Sequence, residues 1–188
     1  MQNYTEGDIL LILKMLQKEQ VGRKRLSDYL GLGEATIRTL FRKLESEDLI
    51  SSTRQGQKLT RKGDHFLVRV PQFTLPQLVK VGDVTLSRFN VASLIRGYVG
   101  HIKNGMQLRD AAIIAGACGS TTLIFSEGKL HFPDTTLLPS EVSHRLIDEF
   151  SPDEGDVLII ATAETERKAM RGLSGCLSLL IQEEMRKL

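Results

Sequence analysis

The sequence has few of the residues that form disulfides and metal sites, and no long hydrophobic run. Its 188 residues include two cysteines and four histidines. Cys118 and Cys176 stand in separate apolar stretches without a second ligand at metal-binding spacing, so we expect reduced, buried thiols. The start of the chain lacks a basic stretch followed by an apolar run, and no apolar segment reaches membrane-spanning length. These absences favour a cytoplasmic protein without a membrane partner, a metal or a cofactor.

Catalytic motifs are absent as well. No Ser/His/Asp order, metal cluster or cofactor fingerprint organises the ionisable residues. The glycine-rich stretch 115–122 (AGACGSTT) matches neither GxGxxG nor GxxxxGK[ST], and we interpret it as a helix stop and a tight turn. We therefore expect no enzymatic activity and predict no catalytic residue, while a small-molecule or anion-binding enzyme of unknown reaction remains the rival interpretation.

The formal net charge of +2 is unevenly divided. Residues 1–70 hold 13 Lys/Arg and 9 Asp/Glu, whereas residues 71–188 hold 12 and 14. The positive excess therefore lies in the N-terminal part. Since neutralised phosphates dominate the affinity of proteins for DNA, this small excess agrees with a polyanionic partner but could not establish one alone.

The N-terminal part has the pattern of a helix-turn-helix followed by a β-hairpin. Gly31 separates two helical segments, and the second has the apolar residues Ile37, Leu40, Phe41 and Leu44 at helical spacing. A polar hairpin tip with a central glycine follows at 54–58, and Thr60 is placed to cap another helix. Thr5, with Asp8 three residues on, predicts the start of a preceding helix. This order predicts a winged helix over residues 1–70.

The same region resembles the winged-helix domains of bacterial and archaeal transcription regulators, through LGLGEATIRTLFRKLESEDLI and LTRKG. Asp48 stands where that family often has glycine, and Asp tolerates the left-handed conformation better than most residues. The resemblance implies that the second helix of the pair enters the major groove of DNA while the wing reaches an adjacent groove or the backbone. The predicted DNA-binding residues are Glu34, Thr36, Arg38, Thr39, Arg42, Lys43, Arg54, Gln55, Gln57 and Lys58. The basic triplet 23–25 either contacts phosphates or forms a solvated turn, and a winged helix that contacts protein or RNA is the alternative.

A second domain follows a proline-containing linker at 71–77. Residues 78–188 alternate strand and helix patterns, which predicts an α/β or α+β domain with a mixed sheet and three helices. Strands are expected at 78–86 (or a hairpin), 89–99 (with a helical turn at VASLIR as the alternative), 121–125, 129–132 and 156–161, and helices at 107–115, 140–150 and 165–188. The last helix has a broad apolar stripe that includes Met170, Leu173, Leu177 and Leu180, so we expect it to pack on its own sheet and to form a homodimer interface.

Ionisable and hydroxyl residues at strand and helix ends are the candidates for a ligand site in this domain: Arg96, Arg109, Thr162, Glu164 and Thr165. The stretch 161–165 leads from a buried strand into a helix N-terminus, which either binds an anion or is capped by its own residues. Convergence of Arg96, Arg109 and Glu164 in one cleft would favour an enzyme or a ligand sensor.

The whole chain resembles archaeal two-domain proteins, predicted transcription regulators that join a winged helix to a C-terminal domain of unknown function. The resemblance rests on the winged-helix pattern with QLRDAAIIAGACGSTTLIF, EGKLHFPD and EGDVLIIATAETERKA. It implies an archaeal, cytoplasmic gene regulator. The division of labour usual in such proteins motivates the further hypothesis that the second domain senses a small molecule.

Overall fold

The computed structural model describes residues 3–185, with side chains through Gln182. The α+β class is confirmed. The chain divides into two units: residues up to Val70 with residues from Leu177 onward, and Pro71–Cys176. The predicted second domain, 78–188, is therefore divided, because the second half of the last helix belongs to the first unit. Over residues 3–185, no helix is both long and apolar enough to span a bilayer.

The first unit consists of three helices, a β-hairpin and a fourth helix, together with the second half of the last helix. Its helix starts follow the predicted caps: Thr5 and Asp8 form the reciprocal capping box, and the Thr60 hydroxyl accepts a hydrogen bond from Gly63 N at 3.1 Å. Gly31 ends the second helix in the left-handed conformation, with φ of 65°. The elements are α1 (Glu6–Lys18), α2 (Arg23–Leu30), α3 (Glu34–Ser46), β1 (Ile50–Thr53), β2 (Gly56–Leu59) and α4 (Arg61–Val68).

The wing is the antiparallel pair β1–β2, in which Ile50 lies opposite Leu59 and Thr53 opposite Gly56. Val21 exchanges two backbone hydrogen bonds with Gln57, at 3.2 and 3.0 Å, and so adds a third short segment to the hairpin. The last helix contributes Ser178, whose hydroxyl accepts a hydrogen bond from Gly7 N at 2.8 Å within the same unit. The Val21 bridge thus ties the wing to the segment between α1 and α2, and the Ser178 contact ties the last helix to α1.

The second unit contains a five-stranded sheet in the order β3-β4-β7-β5-β6. The central strand β7 is the nearly continuous apolar run of the sequence, and all of its residues are buried, as expected for a strand covered on both faces. The strands are β3 (Gln77–Leu78), β4 (Phe89–Ile95), β5 (Gly119–Ser126), β6 (Lys129–His131) and β7 (Val157–Ala163), and the helices are α5 (Met106–Ile114), α6 (Ser140–Phe150) and α7 (Glu166–Met185).

The pairing of the described strands is antiparallel throughout, whereas the sequence analysis expected a mixed sheet. β4 and β5 run in the same direction and are joined through α5, as in a βαβ unit. However, β7 enters the sheet between them and pairs with each in the opposite direction. Strands that are parallel in direction are therefore present, but they are not neighbours.

The two faces of the sheet are covered by different helices. Leu123 and Leu158 pack with Leu146 and Phe150 of α6 in one apolar cluster. On the other face, α7 crosses closely over the sheet at Gly172, where an added Cβ would lie 3.4 Å from that of Ala161. α5 lies beside α7 on that face. The sheet is thus a central layer between α6 and the α5–α7 pair.

The segments flanking β4 differ from the predicted elements. Within 78–86 only Leu78 belongs to a strand, because Gly82 has φ of 55° and a single 3₁₀ turn occupies Gly82–Val84. β4 ends at Ile95, before Gly97 with φ of 58°. The predicted linker is part of the unit, since Thr74 N donates to Leu94 O at 2.9 Å.

The apolar stripe of α7 is buried within a single chain. Leu173, Cys176, Leu177 and Ile181 are fully buried, and the exposed fraction of Leu180 is 8%. The expectation that this stripe also forms a homodimer interface therefore loses its basis, because these side chains are already covered. The predicted helix end at residues 186–188 lies outside the described residues.

Candidate nucleic-acid interface

Helix α3 has one buried and one exposed side. Ile37, Leu40, Phe41 and Leu44 are buried, as the helical spacing predicted. Arg38, Thr39 and Arg42 are exposed on the opposite side. The helix is therefore held in place by its apolar stripe and presents its polar residues outward.

A groove of about 590 Å³ runs between α3 and the wing. Four arginines line it, namely Arg23, Arg38, Arg42 and Arg54, with a single carboxylate, Glu45. Among residues 3–185, none of these guanidinium groups forms an ion pair or a hydrogen bond with another side chain or the backbone. Cations that lack intramolecular partners and face one groove create a local positive potential, which attracts an anionic partner.

Glu45 connects the two walls of the groove. Its carboxylate accepts a hydrogen bond from the Ser52 hydroxyl at 2.5 Å, which joins α3 to β1. Because this carboxylate is occupied by the contact with the wing, it orients the hairpin against the helix. The distance between the arginines of α3 and Arg54 of the wing is thereby constrained.

The groove brings together half of the predicted DNA-binding residues. Arg38 and Arg42 of α3 line it, as do Arg54, Gln55 and Gln57 of the hairpin. The remaining predicted residues, Glu34, Thr36, Thr39, Lys43 and Lys58, do not line it. The Thr39 hydroxyl donates to Ala35 O of its own helix at 3.1 Å.

Gln57 does not extend from the wing tip as predicted. Its exposed fraction is 9%, and its side-chain Nε2 donates to the Ser52 hydroxyl at 2.8 Å. The physical reason is the pairing with Val21, which covers this part of β2. Its Oε1 is buried and lacks a hydrogen-bond partner within the described part of the chain.

The basic triplet at the start of α2 is divided by its contacts. Lys24 pairs with Asp28 at 3.8 Å and Arg25 pairs with Glu19 at 2.5 Å, so both have intramolecular partners. Arg23 instead lines the groove. The three cations are consecutive in the sequence. Only the fold shows that Arg23 faces the groove while Lys24 and Arg25 pair with carboxylates.

The candidate ligand residues of the second unit do not converge. Arg96 donates to the buried carboxylate of Asp156 at 2.6 Å, where Gly97 N also donates at 2.8 Å. This contact is structural, because it pairs a buried charge. Antiparallel pairing places Ile95 opposite Val157 at the start of β7, whereas Glu164 follows the end of that strand. The seven residue steps from Val157 to Glu164 span roughly 24 Å at about 3.4 Å each.

The residues at the start of α7 contact one another. The Thr165 hydroxyl accepts a hydrogen bond from Lys168 N at 3.3 Å, and Glu164 pairs with Lys168 at 3.6 Å. Thr162 is buried, and its hydroxyl donates to Ser87 O at 3.2 Å. The contacts of this helix end agree with the self-capped alternative.

Arg109 lines a separate pocket of about 220 Å³ between the start of α5 and β5. Ser120, Thr121 and Thr122 of β5 line it as well. Arg109 was predicted from the sequence as a ligand-binding residue, whereas these hydroxyl residues were not. Three consecutive hydroxyl residues in a strand are visible in the sequence and could have indicated a polar site. The sequence does not show, however, which of these hydroxyls lack a hydrogen-bond partner.

The two thiols differ. Cys118 is exposed, so the expectation that both thiols are buried is wrong for this residue, which follows the exposed end of α5. Cys176 is buried and donates to Leu108 O at 3.2 Å, and burial raises the pKa of its thiol to about 12. Among the described residues, no group of three or more His, Cys, Asp or Glu is arranged to bind a metal ion.

The comparisons with known proteins match both parts of the chain. The model of the PH0730-like N-terminal domain matches residues 5–65, and that of the domain of unknown function DUF4443 matches residues 86–180. No curated protein matches. The solved structure of hypothetical protein PH0730 from Pyrococcus horikoshii OT3 is 30% identical, with a TM-score of 0.73 over 97% of this chain and 95% of that one. The chain therefore belongs to the family of proteins that contain the DUF4443 domain.

Proposed function

We propose that the protein is a sequence-specific, double-stranded-DNA-binding transcription regulator and not an enzyme. The observation that supports this proposal is the groove between α3 and the wing, with four arginines that have no partners within the described part of the chain. An uncompensated cluster of guanidinium groups suits the phosphate backbone, because arginine binds phosphate through two parallel hydrogen bonds.

The proposed complex places α3 in the major groove. Arg38, nearer the start of the helix, reads a guanine, since Arg can donate to both O6 and N7 of that base. Arg42 and Arg54, on opposite walls of the groove, contact the phosphates of the strand between helix and wing. Gln55, at the tip, reaches the adjacent groove or backbone.

Binding to fluorescent duplex DNA tests this function. The fragments include the region upstream of the protein's own gene, and the titrations are repeated at several salt concentrations. We expect tight binding to one fragment, with an affinity that falls steeply with salt. Equal, weak binding to every duplex would contradict sequence-specific regulation, and tighter binding to single-stranded RNA of the same sequence would favour the RNA-binding alternative.

The proposed regulator is a homodimer, because a two-fold protein matches a two-fold operator. The outer face of α5 is a suitable surface for the second copy. Met106, Ile113 and Ile114 lie on that face with exposed fractions of 50%, 48% and 87%. Two α5 helices related by a two-fold axis would cover these three side chains on each chain. The stripe of α7 cannot form such a contact, because it is already buried.

Ile114→Glu is expected to raise the dimer dissociation constant about 100-fold, because it places a charge in an apolar contact. Sedimentation velocity over a range of concentrations measures the change. Leu86→Glu is the matched control, since Leu86 is also 87% exposed in the same unit but does not belong to α5. A wild-type protein that remains monomeric well above micromolar concentration would contradict the dimer.

A further inference from the structure

We infer that the pocket between the start of α5 and β5 binds a small oxyanion, a phosphate or carboxylate group of an effector molecule. The inference deepens the effector-sensing part of the proposed function and rests on it for its biological meaning. All residues that line the pocket belong to the second unit.

The pocket lies where the edge of β5 has no neighbouring strand. β6 pairs with β5 only from Ile124 to Ser126, in the register Ile124 opposite His131. The first half of β5, with Ser120 and Thr122, extends beyond that pairing and faces the pocket, whose other wall includes Phe132 and Pro133. The strand edge, the loop after β6 and the start of α5 thus border an open pocket of about 220 Å³.

The start of α5 has backbone amides that no side chain caps. Gly105 occupies the N-cap position with φ of 73°, and no side chain caps the first turn at N2 or N3. Asn104 Oδ1 accepts from Met106 N at 3.1 Å, which leaves the amides of the following two residues without a side-chain acceptor. These two residues do not themselves line the pocket, but the dipole at the start of α5 favours an anion beside it.

Thr122 provides an independent indication of a ligand. Its exposed fraction is 5%, and its hydroxyl lacks a hydrogen-bond partner within residues 3–185. The Thr122 side chain lines the pocket beside Gly105, where an added Cβ would lie 2.8 Å from Thr122 Oγ1. A buried hydroxyl without a partner is unfavourable, and an oxyanion accepting its proton would satisfy it.

The charge of the pocket selects the ligand class. Arg109 is the one charged residue among the described residues that line it, so no carboxylate opposes an anion there. Arg109 pairs with the neighbouring Asp110 at 3.2 Å, but both side chains are more than half exposed. Since such surface pairs contribute little, the guanidinium group can turn toward the pocket at small cost. The volume suits one phosphate or carboxylate group on a small molecule.

Titration calorimetry of the full-length protein, without DNA, tests the inference. The probes are inorganic phosphate and acetate in a Tris-chloride buffer, which contains no oxyanion, with potassium chloride at matched ionic strength as the blank. The variants are Arg109→Gln and Thr122→Val, and Lys129→Gln is the control, because it removes one positive charge from the same unit outside the pocket. Circular dichroism confirms that each variant is folded.

We expect saturable binding of phosphate, acetate or both by the wild-type protein and by Lys129→Gln. Arg109→Gln is expected to raise the dissociation constant about tenfold or more, and Thr122→Val about threefold to tenfold. Preference for phosphate indicates a phosphorylated effector, and preference for acetate a carboxylic acid. Absence of saturable heat with both probes, or equal affinity in all variants, overturns the site. Because no DNA is present, either result leaves the DNA-binding test unaffected.

Discussion

Replacing Arg42 and Arg54 together with glutamine is expected to weaken DNA binding about 30-fold at 0.15 M monovalent salt. The reason is counterion release: each phosphate contact contributes a slope of about −0.9 to the logarithm of the binding constant against the logarithm of salt concentration. Two contacts therefore contribute about −1.8 to the slope. Between 1 M and 0.15 M salt, this slope corresponds to about 1.5 logarithmic units of affinity, or about 30-fold. The loss is expected to be similar for all DNA sequences, because phosphates are common to them.

Fluorescence anisotropy at four or more salt concentrations measures both quantities, the affinity and its slope. The matched control is the pair Lys24→Gln and Arg25→Gln, which removes two charges from the same unit. These two residues have intramolecular carboxylate partners and do not line the groove. If both double variants reduce the slope equally, the net charge of the unit explains binding and the groove has no special role.

The first unit could be predicted in detail because its signals are local. The capping box of Thr5 and Asp8 is formed within four residues, and Gly31 and Asp48 have the positive φ angles that a helix end and a turn require. The apolar spacing in α3 determined which side of the helix is buried. Gln57 was misplaced because its burial depends on Val21, a residue far away in sequence.

The second unit could be predicted only as a set of elements. Strand and helix patterns located β4, β5, β6, β7 and the three helices, but the order of strands depends on pairing between distant segments. The insertion of β7 between β4 and β5 separates Arg96 from Glu164, which the sequence alone placed in one candidate site. Patterns within a segment contain no information about this pairing.

The breadth of an apolar stripe likewise does not show what covers it. The stripe of α7 suggested a second chain, whereas Ala111, Ala112 and Ala115 of α5 approach it within the same chain. Thr122 is a comparable case, since an alternating strand pattern does not reveal that a hydroxyl has no partner. Both features arise from packing between elements, and they become visible only when the elements are assembled.

Gly175→Ala is expected to lower the free energy of unfolding by about 2 kcal/mol, although alanine is the better helix former. A Cβ at this position would lie 2.7 Å from Ala111 O and 2.7 Å from the Cβ of Ala115, both on α5. The carbonyl oxygen cannot move aside easily, because it accepts the helical hydrogen bond from Ala115 N at 3.1 Å. Separating the two helices would also expose the buried side chains between them.

Two opposing contributions determine the sign of this change. Alanine gains about 0.8–1 kcal/mol over glycine in a helix interior, while overpacking a tight contact typically costs about 1–3 kcal/mol and sometimes more. A contact below 3 Å with a backbone atom belongs at the upper end of that range, so the packing term is the larger. Thermal unfolding is expected to show a decrease of about 4–8 °C in Tm for a chain of this size.

Gln107→Ala serves as the control for this prediction, because Gln107 is an exposed residue of α5 and its replacement alters helix propensity without altering the contact with α7. Its free energy of unfolding is expected to change by less than about 0.5 kcal/mol. An equal or higher Tm for Gly175→Ala would mean that the propensity gain exceeds the packing cost. In that case α5 and α7 would have to lie farther apart than the structure places them.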